Sequence, residues 1–222
     1  MNDVEDPVNA QVFTAPAPYV PLPARIAVLL SGRGSNFEAL ADGCASGSVP
    51  AAIVLVASDK PDAVGLERAR ARGLTAIGLS AKELGGRAAL EARLIELIAE
   101  TRADLICLAG YMKILSPAFV SRFPHRILNI HPALLPSFPG VHAQEQAVRY
   151  GVRVSGVTVH FVDSGTDTGP IVDQRAVQVL GGDDADSLAA RILPVEHELY
   201  VEALGKVLKG GWKVEGRAVV LP

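Results

Sequence analysis

Short apolar runs alternate with segments of helical period along most of the chain. Ile26–Leu30 precedes a helical pattern over Asn36–Ala45, Ala52–Ala57 precedes Ala63–Ala71, and Thr75–Leu79 precedes Arg87–Glu100; Leu105–Leu108 is then followed by a short helical segment over Ser116–Arg122. Short β-branched or apolar runs of this kind read as strands. Strands that alternate with helices build right-handed βαβ crossovers, so the pattern predicts an α/β fold with a doubly wound, mostly parallel sheet. After a fifth strand over Ile127–Ile130, Pro132, Pro136, Pro139 and Gly140 force an irregular loop ahead of a helix over His142–Tyr150. Val154–Phe161 and Ile171–Val179 alternate in polarity and are joined by the turn-rich Asp163–Pro170, which predicts an antiparallel C-terminal extension of the sheet. A long helix over Asp183–Lys209 and a short strand pair or tail over Trp212–Leu221 complete the chain, and no internal repeat is visible.

Composition narrows the picture. Residues 1–24 hold five of the 15 prolines without periodicity, predicting a disordered tail ahead of a single domain over 25–222. With 222 residues, 49% hydrophobic and 20% charged, the chain has enough apolar material for a sizeable core. A net charge of −3 supplies no overall basic field for nucleic acid or anionic membrane, so any phosphate must be met locally. The longest apolar runs, such as Ala51–Ala57, fall far short of the roughly 20 residues a membrane helix needs. The first 24 residues carry Asp3, Glu5 and Asp6 but no Lys or Arg, the reverse of a secretory signal, and a cytoplasmic location is expected. Cys44 and Cys107 form no Cys-x-x-Cys and suit neither a disulfide framework nor a thiolate zinc site, with Cys107 expected in a core strand.

Three places carry chemistry. Ser31-Gly32-Arg33-Gly34-Ser35-Asn36 follows the first strand and opens the first helix, where free N–H groups and the positive helix end attract anions. It is neither a P-loop nor a full dinucleotide motif, since Phe37 takes the third glycine position, although Asp59 after the second strand stands where a ribose-binding acid is found; a tight turn with ordinary capping is the alternative. Asn129 and His131, one residue apart at the carboxyl end of the fifth strand, leave the same face and could stabilise a tetrahedral oxyanion, or His131 could simply cap neighbouring carbonyls. His160 and Asp167 flank a turn that can approach that strand end, and a carboxylate there raises and orients an imidazole; the same turn residues also suit an ordinary hairpin. No metal-ligand spacing links His131, His142 and His160 with Asp163 or Asp167, so no metal is expected, and no Gly-x-Ser-x-Gly elbow offers a serine nucleophile. Taken alone, these residues point to an α/β enzyme performing acyl-type chemistry on a small phosphorylated substrate.

Four motifs in order, Leu30-Ser31-Gly32-Arg33-Gly34-Ser35-Asn36, Leu108–Pro117, Leu128-Asn129-Ile130-His131-Pro132-Ala133-Leu134-Leu135-Pro136, and Val159–Asp163 with Asp167-Thr168-Gly169-Pro170, closely resemble the phosphoribosylglycinamide formyltransferase family. The likeness runs from about Arg25 to the C-terminus. It implies a Rossmann-like formyltransferase fold and transfer of a formyl group from 10-formyltetrahydrofolate to 5-phosphoribosylglycinamide in purine synthesis, by a monomer or homodimer that needs neither nucleic acid nor membrane. By position, Asn129, His131 and Asp167 match the catalytic trio, and Gly34, Ser35 and Asn36 match the ribonucleotide phosphate loop, with Glu196 a further ribonucleotide contact. The folate is implied to lie against Arg87, Met112, Lys113, Ile114, Leu115 and Asn129, and against Asp163, Ser164, Gly165, Thr166 and Asp167. Two departures are Ala133, where serine is frequent, and Lys113, where arginine is frequent; the latter removes a forked donor.

The resemblance implies direct attack by the amine, with Asn129 and His131 holding the oxyanion, each such donor contributing about 2.7–4 kcal/mol in comparable sites. Asp167 is expected to orient His131 and keep it suitably protonated. Two alternatives use the same residues: a formyltetrahydrofolate hydrolase, and a nucleotide-binding module without catalysis built on Gly32–Asn36 and Asp59.

Overall fold

The computed structural model describes residues 12–222. In chain order the elements are β1 (Phe13–Thr14), β2 (Ala24–Leu30), α1 (Ser35–Ala45), β3 (Ala51–Ser58), α2 (Val64–Ala71), β4 (Ala76–Gly78), α3 (Ala81–Leu84), α4 (Arg87–Glu100), β5 (Leu105–Leu108), α5 (Pro117–Val120), β6 (Ile127–His131), α6 (Ala143–Tyr150), β7 (Val154–Phe161), β8 (Ile171–Gln178), α7 (Ala185–Lys209), β9 (Lys213–Glu215) and β10 (Ala218–Val220). They form one sheet in the order β1-β9-β10-β8-β7-β6-β5-β2-β3-β4. Strands β4, β3, β2, β5 and β6 are mutually parallel, whereas β7 and β8 add antiparallel strands beyond β6. This is the doubly wound, mostly parallel sheet with an antiparallel C-terminal extension that the polarity pattern predicts.

The apolar runs are continuous because both faces are covered. Ile26, Val28 and Leu30 of β2 face α1, α2 and α7 in one core, while Ala27 and Leu29 face α4 and α5 in the other. Helix α7 seals the first core: Leu188, Ile192, Leu199, Tyr200 and Leu204 are fully buried. The Tyr200 hydroxyl lies 3.1 Å from the carbonyls of both Leu108 and Leu128, tying α7 to the neighbouring strands β5 and β6. An Asp184–Ser187 capping box starts this helix, with Asp184 Oδ1 accepting from the Ser187 N–H at 2.8 Å.

The predicted tail boundary at residue 24 needs correction. Phe13 and Thr14 pair antiparallel with Val214 and Lys213, and Ala15 and Val20 are buried. Phe13 stacks on His125 with centroids 4.4 Å apart, Tyr19 packs on Trp212 at 4.8 Å, and Phe161 meets Trp212 at 4.9 Å. Residues 12–24 are therefore a strap on the domain, stabilised by partners near the other end of the chain. The rest of the predicted tail, residues 1–11, lies outside the described residues. The C-terminal segment resolves into the β9–β10 hairpin, with β10 parallel to β8.

Candidate active site

A cavity of about 400 Å³ opens beside the end of β6, with residues 110–115, the approach to and start of α6 at 140–144, and the end of β7 with its following turn at 160–167 around it. Asn129 and His131 leave the same face of β6, and the antiparallel register sets His160 of β7 opposite Asn129. Asp167 reaches the cluster from the turn after β7, in a left-handed conformation with φ 55°. Its Oδ2 accepts from the Gly140 N–H at 2.7 Å and lies 3.4 Å from His131 Nδ1, while its Oδ1 lies 3.6 Å from His160 Nε2.

The hydrogen bonds assign the ring protons. A carbonyl can only accept, so the contact of His131 Nε2 with the Phe138 carbonyl at 2.8 Å requires the proton on Nε2. That leaves Nδ1, which faces Asp167, as the nitrogen that gains or loses a proton. His160 Nδ1 likewise donates to the Phe161 carbonyl at 2.8 Å, which leaves Nε2 to accept from the Asn129 amide at 3.2 Å. One N–H of Asn129 is thereby committed and the other remains for a ligand. Burial pushes the His131 pKa down; Asp167 and the Phe138 carbonyl push it up, His160 pushes it down, and the net direction is below the ordinary value. Burial pushes the Asp167 carboxyl up, but the neighbouring His160 and His131 rings and the Gly140 N–H that donates to it outweigh burial, so its pKa lies below the usual range.

A second polar site lies at the start of α1. Gly34 is the N-cap at φ 78°, where no side chain caps the helix, so its first N–H groups keep no side-chain partner. A Cβ on Gly34 would stand 2.9 Å from the Gly65 Cα, so only glycine fits this turn against α2. Asn36, 8% exposed, donates from Nδ2 to Glu196 Oε2 at 2.7 Å, across 160 positions of chain. Its Oδ1 is buried without a partner among the described residues. Burial raises the Glu196 pKa, and the bond from Asn36 partly offsets the rise.

The sequence profile of the formyl transferase family matches residues 24–204. The chain belongs to the formyl transferase family. A phosphoribosylglycinamide formyltransferase of Escherichia coli is 41% identical over 196 residues, 88% of this chain and 92% of that protein. The trifunctional purine biosynthetic protein adenosine-3 of Drosophila melanogaster is 46% identical over 188 residues, but this chain spans only 14% of its length. Among solved structures, glycinamide ribonucleotide transformylase 1 from Symbiobacterium toebii superposes with a TM-score of 0.87 at 47% identity, covering 89% of this chain and 93% of that one.

Within this formyl transferase the predicted residues divide by place. Met112, Lys113, Ile114, Leu115, Asn129, His131, Asp163, Gly165, Thr166 and Asp167 line the cavity, and Ser164 of the same turn does not. Gly34, Ser35, Asn36 and Glu196 gather at the start of α1, outside the cavity lining. Arg87 also lies outside the lining: its guanidinium donates to Glu91 and to the Ile114 carbonyl. His160 joins the cluster as the partner of Asn129, a role that its place opposite Asn129 reveals only once β6 and β7 pair. Asp59 is engaged internally, accepting from the Ser31 hydroxyl. Burial pushes Cys44 up to about 11 and Cys107 up to about 12, so neither thiol is a ready nucleophile near neutral pH. No helix of the described residues is long and apolar enough to cross a membrane.

Proposed function

We propose that the protein transfers the formyl group of 10-formyltetrahydrofolate to the amine of 5-phosphoribosylglycinamide, giving formylglycinamide ribonucleotide and tetrahydrofolate in de novo purine synthesis. The observation that carries this reading is the cluster of Asn129, His131, Asp167 and His160 on the wall of a cavity whose rim is apolar at Met112 and Ile114. A folate ring system is flat and largely apolar on its faces, which suits that wall, and an acyl transfer needs the donors and the base that the cluster contains. The start of α1, with uncapped N–H groups, a buried unpartnered Asn36 Oδ1 and Glu196, suits the phosphate and hydroxyls of a ribonucleotide.

The residues divide the work as follows. Asn129 donates its free N–H to the oxygen that becomes negative when the amine attacks the formyl carbon. His131, neutral at Nδ1 because burial holds its pKa down, takes the proton that the amine sheds, and Asp167 stabilises the imidazolium so formed. The same ring then returns that proton to the folate nitrogen as its bond to carbon breaks. One carbon–nitrogen bond forms, one breaks, and no acyl group rests on the enzyme. The reading makes the protein a cytoplasmic enzyme of one domain, monomeric or homodimeric, with Met112–Leu115 and Asp163–Asp167 around the donor.

Absorbance of tetrahydrofolate released from 10-formyltetrahydrofolate tests the reading. Release that requires the ribonucleotide is the expected outcome. Equal release without it identifies a hydrolase, and no release under either condition leaves a nucleotide-binding module.

A further inference from the structure

Glu91 is a buried carboxylate for which the reaction above has no task. It lies on α4 at 7% exposure, on the helix face that also carries the buried Leu90, Leu94 and Leu97. A buried charge is costly unless donors surround it, and here the donors share one address. The Ser116 N–H donates to Glu91 Oε1 at 3.0 Å, the Ser116 hydroxyl donates to Oε2, and Arg87 Nε donates to Oε1 at 3.1 Å. Arg87 Nη2 in turn donates to the Ile114 carbonyl. At the other end of the same segment the Met112 N–H donates to Ser31 Oγ at 2.8 Å, whose own hydrogen goes to Asp59. A stretch without helix or strand is thus pinned through its main chain at Met112, Ile114 and Ser116. Leu115 is buried, while the side chains of Met112 and Ile114, each 64% exposed, line the cavity. Unpinned, such a stretch would have to be ordered when a ligand arrives, at the expense of affinity.

We infer that Glu91 is a positioning residue for the formyl donor: through Ser116 and Arg87 it holds Met112–Leu115 as a preformed apolar wall for the folate ring system. Arg87 acts here through the main chain of that wall and not by touching the donor. The functional half of this inference rests on the folate reading of the cavity; the pinning of the segment does not.

Glu91→Gln keeps the shape and removes the charge. The Michaelis constant for 10-formyltetrahydrofolate is expected to rise about tenfold, the scale of one lost charge-assisted bond, with kcat and the constant for the ribonucleotide held within about twofold. Amide hydrogen exchange of the ligand-free protein should quicken over Met112–Phe119 and stay unchanged in β2 and β6. Unaltered exchange in that segment overturns the inference whatever the enzyme turns over. Faster exchange with unaltered affinity for the donor overturns its functional half, and a wild-type protein that turns over no folate overturns the reading of the cavity while the exchange result still judges the pinning. Arg87→Met, at a largely exposed position that puts folding at little risk, supplies the second variant. It should raise the same Michaelis constant, and the double variant should be no worse than Glu91→Gln alone, because both act on one segment. Effects that multiply instead place Arg87 on the donor itself and overturn the assignment.

Discussion

The charge state of His131 is set by neighbours that act in opposite directions. Burial and His160 disfavour the imidazolium, whereas Asp167 and the Phe138 carbonyl favour it. Asp167→Asn removes an anion, and removing an anion disfavours the protonated ring, so the His131 pKa falls further below its ordinary value. If neutral His131 is the base, the acidic limb of the kcat/KM profile moves to lower pH with it, and kcat falls because the imidazolium formed in the reaction loses its counter-charge. Structure should survive: asparagine tolerates the left-handed conformation at this position, and its side-chain oxygen can still accept from Gly140. NMR titration of the His131 ring in both proteins measures the shift. An equal or higher pKa in the variant shows that Asp167 only shapes the turn.

At the scale of one element, α1 shares with α2, α4 and α6 an N-terminus that no side chain caps. Ser116 caps α5 and Asp184 caps α7 through their side chains, but α1 begins at a glycine with no cap. A side-chain cap would occupy the N–H groups that an anion needs. Gly34→Val puts a β-branched residue at a positive φ and a Cβ 2.9 Å from the Gly65 Cα, so the turn must shift. The Michaelis constant for the ribonucleotide should rise by about tenfold or more while that for the folate stays close to wild type, with a stability loss of about 1–3 kcal/mol. Steady-state kinetics with each substrate varied, together with denaturant unfolding, reads both effects. Equal increases for the two substrates point to a general disturbance of the fold.

For the whole molecule, the strap over residues 12–24 and the C-terminal hairpin meet at Trp212. This side chain is fully buried, donates from Nε1 to the Val207 carbonyl at 3.0 Å, and packs on Phe13, Tyr19 and Phe161. Trp212→Ala should lower the unfolding free energy by about 3–5 kcal/mol, because the cavity left behind is walled by both chain ends and by β7. The denaturant midpoint should drop, and proteolysis of the native protein should begin within the strap. A midpoint unchanged from wild type means that the cluster repacks without strain.

Local pattern sufficed for the sheet and for the places where chemistry gathers. Continuous apolar runs mark strands covered on both faces, and the spacing Asn129–His131 alone puts two side chains on one face of β6, because period two belongs to the strand itself. Gly34 at a strand-to-helix turn is legible for the same reason. What escaped the sequence are contacts that close only when distant segments meet. The polarity of residues 12–24 resembles a free tail until Trp212 and Lys213–Glu215 arrive from the other end of the chain. Asn36 finds Glu196 across 160 positions, and His160 becomes the partner of Asn129 through antiparallel register. Arg87 and Glu91 look like an ordinary exposed helical ion pair until Ser116 folds onto them and buries the carboxylate. Even which ring nitrogen of His131 is left open is a tertiary fact: the Phe138 carbonyl, seven residues on, returns to the ring only after the proline-bound loop has folded, and it is that carbonyl which leaves Nδ1 to Asp167.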